Sequence, residues 1–186
     1  MNSKTIEIEF RSILNKEKYD MVEKFLKKNT EDLGADDKDV YFFIMPDKLS
    51  KVVNNISKGN AKIVTKLNKI GKGDSFEEIE IAIDRADIEK AVYMFKSLNL
   101  TDNIMHSFQQ RHNYLYKGVE LALKYSDEWS YHLEMEIVVD DPKKETDAKK
   151  KLYDVARELD VHIMTDEELT EFTRKAEKGK RNQNHF

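Results

Sequence analysis

The sequence predicts an α+β fold: an eight-stranded antiparallel β-barrel with a polar lumen of acids and bases, covered on the outside by helices. Three observations carry this. A Glu-x-Glu pair occurs three times inside strand-like runs, as Glu7-Ile8-Glu9, Glu78-Ile79-Glu80 and Glu134-Met135-Glu136. Side chains alternate across a strand, so each pair puts two carboxylates on one face. Ile6, Ile8 and Phe10, or Ile79, Ile81 and Ile83, or Leu133, Met135 and Ile137, then take the other face, which is expected to be covered. The candidate strands are joined mostly by short turns, which makes neighbours antiparallel, and enough amphipathic helix is present to cover an apolar outer surface. A sheet with one face in solvent would mix Lys, Thr, Ser and Glu on its wet side. Repeated acidic pairs describe an enclosed site, where carboxylates repel one another unless a divalent cation, a shared proton or a basic neighbour intervenes.

In chain order, residues 4–12 read as a strand and residues 16–29 as a helix, with Asn15 as N-cap and Tyr19, Val22, Phe25 and Leu26 on one face. A second strand, Asp39 to Met45, stops at Pro46-Asp47. Strands at Leu49 to Ser57 and Ala61 to Asn68 flank the turn Lys58-Gly59-Asn60, and Ser75 to Ile83 follows the turn Gly71-Lys72-Gly73. Asp84 caps a helix reaching about Leu98, with Ile88, Ala91, Val92, Phe95 and Leu98 on its apolar side. Strands at 104–116, 119–125 and 130–139 turn at Lys117-Gly118 and around Ser126-Asp127-Glu128. A helix over 144–159 precedes a last one starting at Thr165, whose Thr-Asp-Glu-Glu run is a capping box with Glu168 reaching back. TIEIEFR before the first helix and EIEIAIDR before the second echo each other, as two related strand-helix halves would.

Composition bounds the rest. A chain of 186 residues with 39% hydrophobic content makes one domain the default, here 1–178, with 179–186 a polar tail expected to fray. Against 36 acidic residues stand 32 basic ones, and a net charge of −4 argues against non-specific adhesion to nucleic acid or anionic membrane. The absence of cysteine removes disulfides, Cys-zinc sites and thiol chemistry. No stretch approaches the roughly 18 apolar residues of a membrane span, and no secretory leader pattern opens the chain, so a cytoplasmic protein is expected. No Gly-rich phosphate loop, Ser-His-Asp set or zinc-ligand spacing is present.

The alternation that aligns the acids also places bases among them. Arg11 continues the Glu7-Glu9 face, Lys62 and Lys66 share a face, and Arg111 is in phase with Gln109 and Asn113; Lys51 and Lys124 depend on register. Such a lining is either a ladder of cross-strand ion pairs or a grip on phosphate, with Arg as a planar fork, Lys as a point charge and the carboxylates holding Mg²⁺ or Mn²⁺. His132 is in phase with Glu134 and Glu136 and could tune them, although a hydrogen-bonded structural histidine is the simpler reading. Trp129, Tyr41, Tyr114 and Tyr131 could stack on a base at the barrel mouth or pack beneath helices.

The run Glu7-Ile8-Glu9-Phe10-Arg11 resembles the N-terminal Glu-x-Glu-x-Lys signature of the CYTH domain. This is the triphosphate tunnel metalloenzyme superfamily of class IV adenylyl cyclases, thiamine triphosphatases and inorganic triphosphatases. Asp39-Val40-Tyr41-Phe42, Ile63-Val64-Thr65-Lys66, Glu78-Ile79-Glu80, Arg111 followed by Tyr114, and Leu133-Glu134-Met135-Glu136 follow in that family's order, over roughly residues 4–140. The resemblance implies an eight-stranded tunnel that takes a triphosphate end-on. Glu7, Glu9, Glu134 and Glu136 would then be metal ligands for Mg²⁺ or Mn²⁺, and Glu78 and Glu80 would support the metal or position water. Arg11, Lys51, Lys62, Lys66, Arg111 and Lys124 would hold phosphate, and Arg111 would join Glu78 and Glu80 as a catalytic residue. Four departures stand out: Arg11 replaces the usual Lys, the Leu-Arg-Ile-Arg strand is replaced by Ser50-Lys51-Val52-Val53-Asn54-Asn55, Gln109 stands where the basic partner of Arg111 would be, and Lys124 stands near a usual aspartate.

The expected function is divalent-metal-dependent hydrolysis of a triphosphate, inorganic or small and organic. The alternatives are an adenylyl cyclase making cyclic AMP and pyrophosphate from ATP, and a tunnel that binds triphosphate or polyphosphate without turning it over. RNA 5′-triphosphate is a further substrate that the resemblance admits and the balanced charge does not single out.

Overall fold

The computed structural model describes residues 6–67 and 75–181, side chains at 76 and 176–181 excepted. Strand β1 (Ile6–Ile13) leads into α1 (Lys16–Asn29), followed by β2 (Glu31–Ala35), β3 (Lys38–Ile44), β4 (Leu49–Asn55), β5 (Asn60–Lys66) and β6 (Ser75–Ile83). Then come α2 (Ile88–Ser97), β7 (Ile104–Tyr116), β8 (Val119–Ser126), β9 (Ser130–Val139), α3 (Glu145–Glu158) and α4 (Asp166–Arg181). All pairings are antiparallel, and eight strands run in the order β7-β3-β4-β5-β6-β1-β9-β8 with β8 returning to β7. The sheet therefore closes on itself as a barrel, as expected, and leaves no free edge among these eight strands.

The sequence echo has a topological counterpart. β1 and α1 lead to the meander β3-β4-β5, and β6 and α2 lead to the meander β7-β8-β9; β1 pairs with β6, and β3 with β7. The ninth strand, β2, is not visible in the residue pattern. Glu31-Asp32-Leu33-Gly34-Ala35 has no apolar alternation, and Gly34 adopts φ 86° at a bulge against β7. β2 lies along residues 112–115 of β7 and β3 along 104–109, so the two share one edge of that strand. The break between them is bridged by Asp36 N–H donating to the Arg111 carbonyl and Arg111 N–H donating to Asp37 Oδ1, both at 2.8 Å.

The outward side chains form two cores. Ile8, Phe10, Leu121, Leu123, Leu133 and Met135 pack against Val22 and Leu26 of α1 and Leu152 and Val155 of α3. Phe43 and Val52 pack against Ala91 and Val92 of α2. Each such side chain contributes about 1.5–3 kcal/mol when fully buried, which is what holds the helices to the barrel. Asn15 caps α1 by accepting from Lys18 N–H at 2.8 Å. The Thr165–Glu168 box is reciprocal, at 2.8 and 3.2 Å. Asp84 caps a 3₁₀ turn over residues 85–87 rather than α2 itself, which starts three residues beyond.

Several expectations need correcting. The outer face of β6 is not covered: Ile79 and Ile81 are 51% and 56% exposed, because α2 sits over β4 and α3 over β9, β1 and β8. Tyr41, Tyr114 and Tyr131 lie outside the barrel, against His106, His112 and Tyr19 respectively; only Trp129 of that aromatic group lines the lumen. Helix α4 reaches Arg181, and residues 182–186 of the expected polar tail lie outside the described residues. The turn Gly71-Lys72-Gly73 lies outside the described residues. No helix among the described residues is long and apolar enough to cross a membrane.

Candidate functional site

The inward side chains enclose a cavity of about 690 Å³ lined by nine Lys or Arg and eight Asp or Glu residues, and every candidate site residue read from the sequence is among its lining. Its acids and bases are sorted by register. β1 and β9 pair Glu9 with Glu136 and Arg11 with Glu134, and β8 sets Lys124 opposite His132. Where the two-residue alternation meets closed pairing, the Glu-x-Glu motifs of β1 and β9 lie side by side inside the barrel.

Lys66 is the centre of one cluster. Its Nζ donates to Glu7 Oε2 and Glu9 Oε2, both at 2.8 Å, and lies 3.1 Å from Glu78 Oε1, with the lysine side chain only 4% exposed. Burial alone would lower this lysine's pKa, but Glu9, Glu7 and Glu78 together hold it well above the usual value. Glu134 is the centre of a second cluster. Lys124 donates to it at 3.0 Å, Arg11 at 3.4 Å, and Arg111 stands 3.5 Å away. Burial opposes ionisation here too, and Lys124, Arg11 and Arg111 overcome it, keeping this carboxyl well below the usual range. Arg11 also contacts Glu9, joining the clusters.

Between them lies an acid with the opposite behaviour. Glu136 is pushed up to about 9 by burial and by Glu7 and Glu9, and Glu7 contacts both Glu136 and Glu78, carboxyl against carboxyl. Among the described residues no group of three acids or histidines forms a ready-made cation site. The donor set nevertheless fits a hard cation: Glu7, Glu9 and Glu136 are oxygen donors crowded enough that one must stay protonated, and a divalent ion could take that proton's place.

The bases differ in how free they are. No hydrogen bond or ion pair joins Lys51 to another described residue, and burial with Lys66 nearby lowers its pKa. Lys124 is brought down to about 8 by burial and by Arg111. Lys62 pairs with Glu80 at a more exposed level, apart from the Lys66 cluster, so the Glu78-Glu80 motif is divided between two environments. His132 donates Nδ1–H to the Ser130 carbonyl at 2.9 Å, which fixes its tautomer, and burial and Lys124 lower its pKa to about 4. It is a neutral, oriented imidazole beside Lys124.

One anchor was not read from the sequence. Asp36, turned inward by the β2–β3 break, accepts from Asn55 Nδ2 at 2.6 Å and from Asn113 Nδ2 at 3.2 Å. It also pairs with Lys38 at 2.8 Å and with Lys58 and Arg111 at 3.2 Å. Glu120 completes the network through Asn113 at 2.8 Å and Arg111 at 3.4 Å. Asp36 thus positions Arg111, while Glu120 was findable, being in phase with Lys124 on one strand. Asp36→Asn leaves three cations short of a buried counter-charge and is expected to lower stability by about 3 kcal/mol. Urea unfolding measures this, and a change under about 0.5 kcal/mol would show those cations to be solvated.

Compared with protein-family models and with curated proteins, the sequence matches none. Solved structures do match. The PH1012 protein of Pyrococcus horikoshii OT3 is 24% identical with a TM-score of 0.69, over 88% of this chain and 99% of that one. The putative adenylyl cyclase HpAC1 from Hippeastrum, described as revealing a dominant triphosphatase activity, is 16% identical with a TM-score of 0.57, over 86% and 89%. A chain of the Schizosaccharomyces pombe Mediator head module is 11% identical with a TM-score of 0.63, over 85% and 97%. A barrel shared this widely does not by itself choose between catalysis and binding. In architecture the chain is a closed eight-stranded antiparallel barrel with helices outside it, a fold it shares with these solved structures and the one to which the Glu7-Ile8-Glu9 and Glu134-Met135-Glu136 motifs had pointed.

Proposed function

We propose that this protein is a divalent-cation-dependent hydrolase of triphosphate compounds, acting inside the barrel on inorganic triphosphate or a small organic triphosphate. The observation that carries this reading is the charge balance of the lumen. Nine bases face eight acids, interleaved and mostly paired. A lumen built for simple anion capture would be strongly basic. A triphosphate brings about four negative charges, so this lining suits the anion together with divalent cations. Glu7, Glu9 and Glu136 would hold Mg²⁺ or Mn²⁺, with Glu134 as a further donor if its cations turn to phosphate. The bound cation neutralises phosphate charge as a Lewis acid.

The chain's own residues supply the rest. Arg11, Lys66, Arg111 and Lys124 exchange carboxylate partners for phosphate oxygens and hold the chain in line, with Lys51 and Lys62 adding charge along the barrel. Glu78, kept ionised chiefly by Lys66 and Lys51 against the effect of burial, accepts a hydrogen bond from the attacking water and orients it. Glu80 supports that edge through Lys62. Attack at the terminal phosphorus breaks its bridging P–O bond and releases phosphate. Lys124, near 8, can give a proton to the departing diphosphate oxygen.

The test is phosphate release from inorganic triphosphate, ATP and thiamine triphosphate with Mg²⁺, with Mn²⁺ and with EDTA, beside Glu9→Gln. Release is expected to need the divalent ion and to fall about 100-fold or more in the variant. Absence of any divalent-dependent release would sink the hydrolase. The likeness to HpAC1 keeps one second reading open, cyclisation of ATP, which cyclic AMP and pyrophosphate among the products would reveal.

A further inference from the structure

Among its charges the lumen also carries an apolar patch. On β3, β4 and β5 the inward positions form successive cross-strand rungs: Ile44 beside Leu49 and Lys66, then Phe42 beside Lys51 and Val64, then Val40 beside Val53 and Lys62. Val40, Val53 and Val64 cluster with Phe42, and Met105 of β7 lies opposite Phe42 in the pairing. All of these residues line the same cavity as the charged clusters. The related meander β7-β8-β9 instead presents Arg111, Lys124 and Glu134. Of two halves of like topology, the first thus sets an apolar cluster of Val40, Phe42, Val53 and Val64 among its lumen lysines.

From this patch we propose that the substrate is an amphiphilic organic triphosphate, whose uncharged, largely apolar body lies against Phe42, Val53, Val64 and Met105 while its phosphates meet Arg11, Lys66, Arg111 and Lys124. This rests on the triphosphate reading and deepens it. Inorganic tripolyphosphate is charged along its whole length and gains nothing from an apolar wall. Desolvating it there is a cost. A cavity of about 690 Å³ is within the range of about 300–1,000 Å³ typical of sites for organic ligands. Phe42 is only partly buried, so its ring is available to the cavity rather than sealed in the core.

The experiment compares inorganic tripolyphosphate with phenyl triphosphate, each with Mg²⁺, by KM for phosphate release and by calorimetric Kd. Phenyl triphosphate is expected to be favoured about tenfold or more, the scale of discrimination by an apolar pocket. Phe42→Ala should remove that preference while leaving tripolyphosphate within about twofold, and Phe42→Leu should restore part of it. Val53→Arg should shift preference toward tripolyphosphate. Equal affinity for the two probes, or equal weakening of both by Phe42→Ala in a folded protein, overturns the amphiphilic substrate and leaves the triphosphate site standing. Failure of both probes to bind or react overturns the triphosphate reading and this proposal with it.

Discussion

Lys66→Met is expected to be the most damaging single substitution in the lumen, for stability and activity alike. The wild-type amine neutralises Glu7, Glu9 and Glu78 at 2.8, 2.8 and 3.1 Å. A methionine of similar length fills the space and leaves the three carboxylates with Arg11, which contacts Glu9, and Lys51, which acts on Glu78. Removing one partner from a buried ion cluster costs about 3–5 kcal/mol, which for a chain of this size lowers the melting temperature by roughly 6–20 °C. Lys66→Arg keeps the charge and should recover most of the stability. Divalent ions separate the two roles of this lysine. Because the variant site is more acidic, Mn²⁺ should stabilise Lys66→Met by more degrees than it does the wild type, while phosphate release stays lost for want of a phosphate-gripping cation. Equal stabilisation of both proteins by Mn²⁺ would mean that these carboxylates do not meet the ion.

Much of this was legible because the signal is periodic. Glu7, Glu9 and Arg11, or Glu134 and Glu136, can share a face only as strand residues, and short turns forced antiparallel pairing, so the barrel and its inward residues followed from alternation. Asp36 was hidden for the complementary reason. It stands at a break between two strands, where no period exists, and its value comes from Lys38, Lys58 and Arg111 converging from elements distant in sequence. β6 misled in another way. Ile79 and Ile81 alternate as well as any buried strand, but alternation reports which face is apolar, not whether a helix reaches it. The apolar lumen wall was also in the sequence, as Val53 in phase with Lys51 on one strand. Its extent became visible only when pairing set Val53, Val40, Phe42 and Val64 in contact.

Without divalent ions, the wild-type protein is expected to lose stability as pH rises from 6.5 to 8, and Glu136→Gln is expected to abolish that slope. Glu136 titrates at about 9 in the fold because of burial and the charges of Glu7 and Glu9, against 4.5 as the ordinary value, with Arg111 opposing the rise. Between those values the folded state holds a proton that the unfolded chain has released. The stabilisation is therefore full below the unfolded pKa and declines as pH climbs toward the folded one, with a limiting slope of about 1.4 kcal/mol per pH unit. Other groups set the window. His132, lowered from 6.5 to about 4, makes stability rise with pH over that interval and masks Glu136 there. Lys124, lowered from 10.5 to about 8, begins to add stability above that pH. Lys38 and Lys51, also lowered by burial, add stability as pH rises toward 10.5, so it is the difference between wild type and Glu136→Gln that isolates Glu136 between 6.5 and 8. Glutamine keeps the shape of the protonated acid and cannot ionise, so the variant should be the more stable protein at pH 8, by at least about 2 °C in melting temperature with EDTA present. Mg²⁺ or Mn²⁺ should reverse the order: the ion replaces the proton, so it should raise the wild-type melting temperature more at pH 8 than at 6.5 and help Glu136→Gln less at both. A wild-type slope unchanged by the substitution would place the shared proton elsewhere, and with it the crowding of Glu7, Glu9 and Glu136 that makes this end of the barrel suited to a cation.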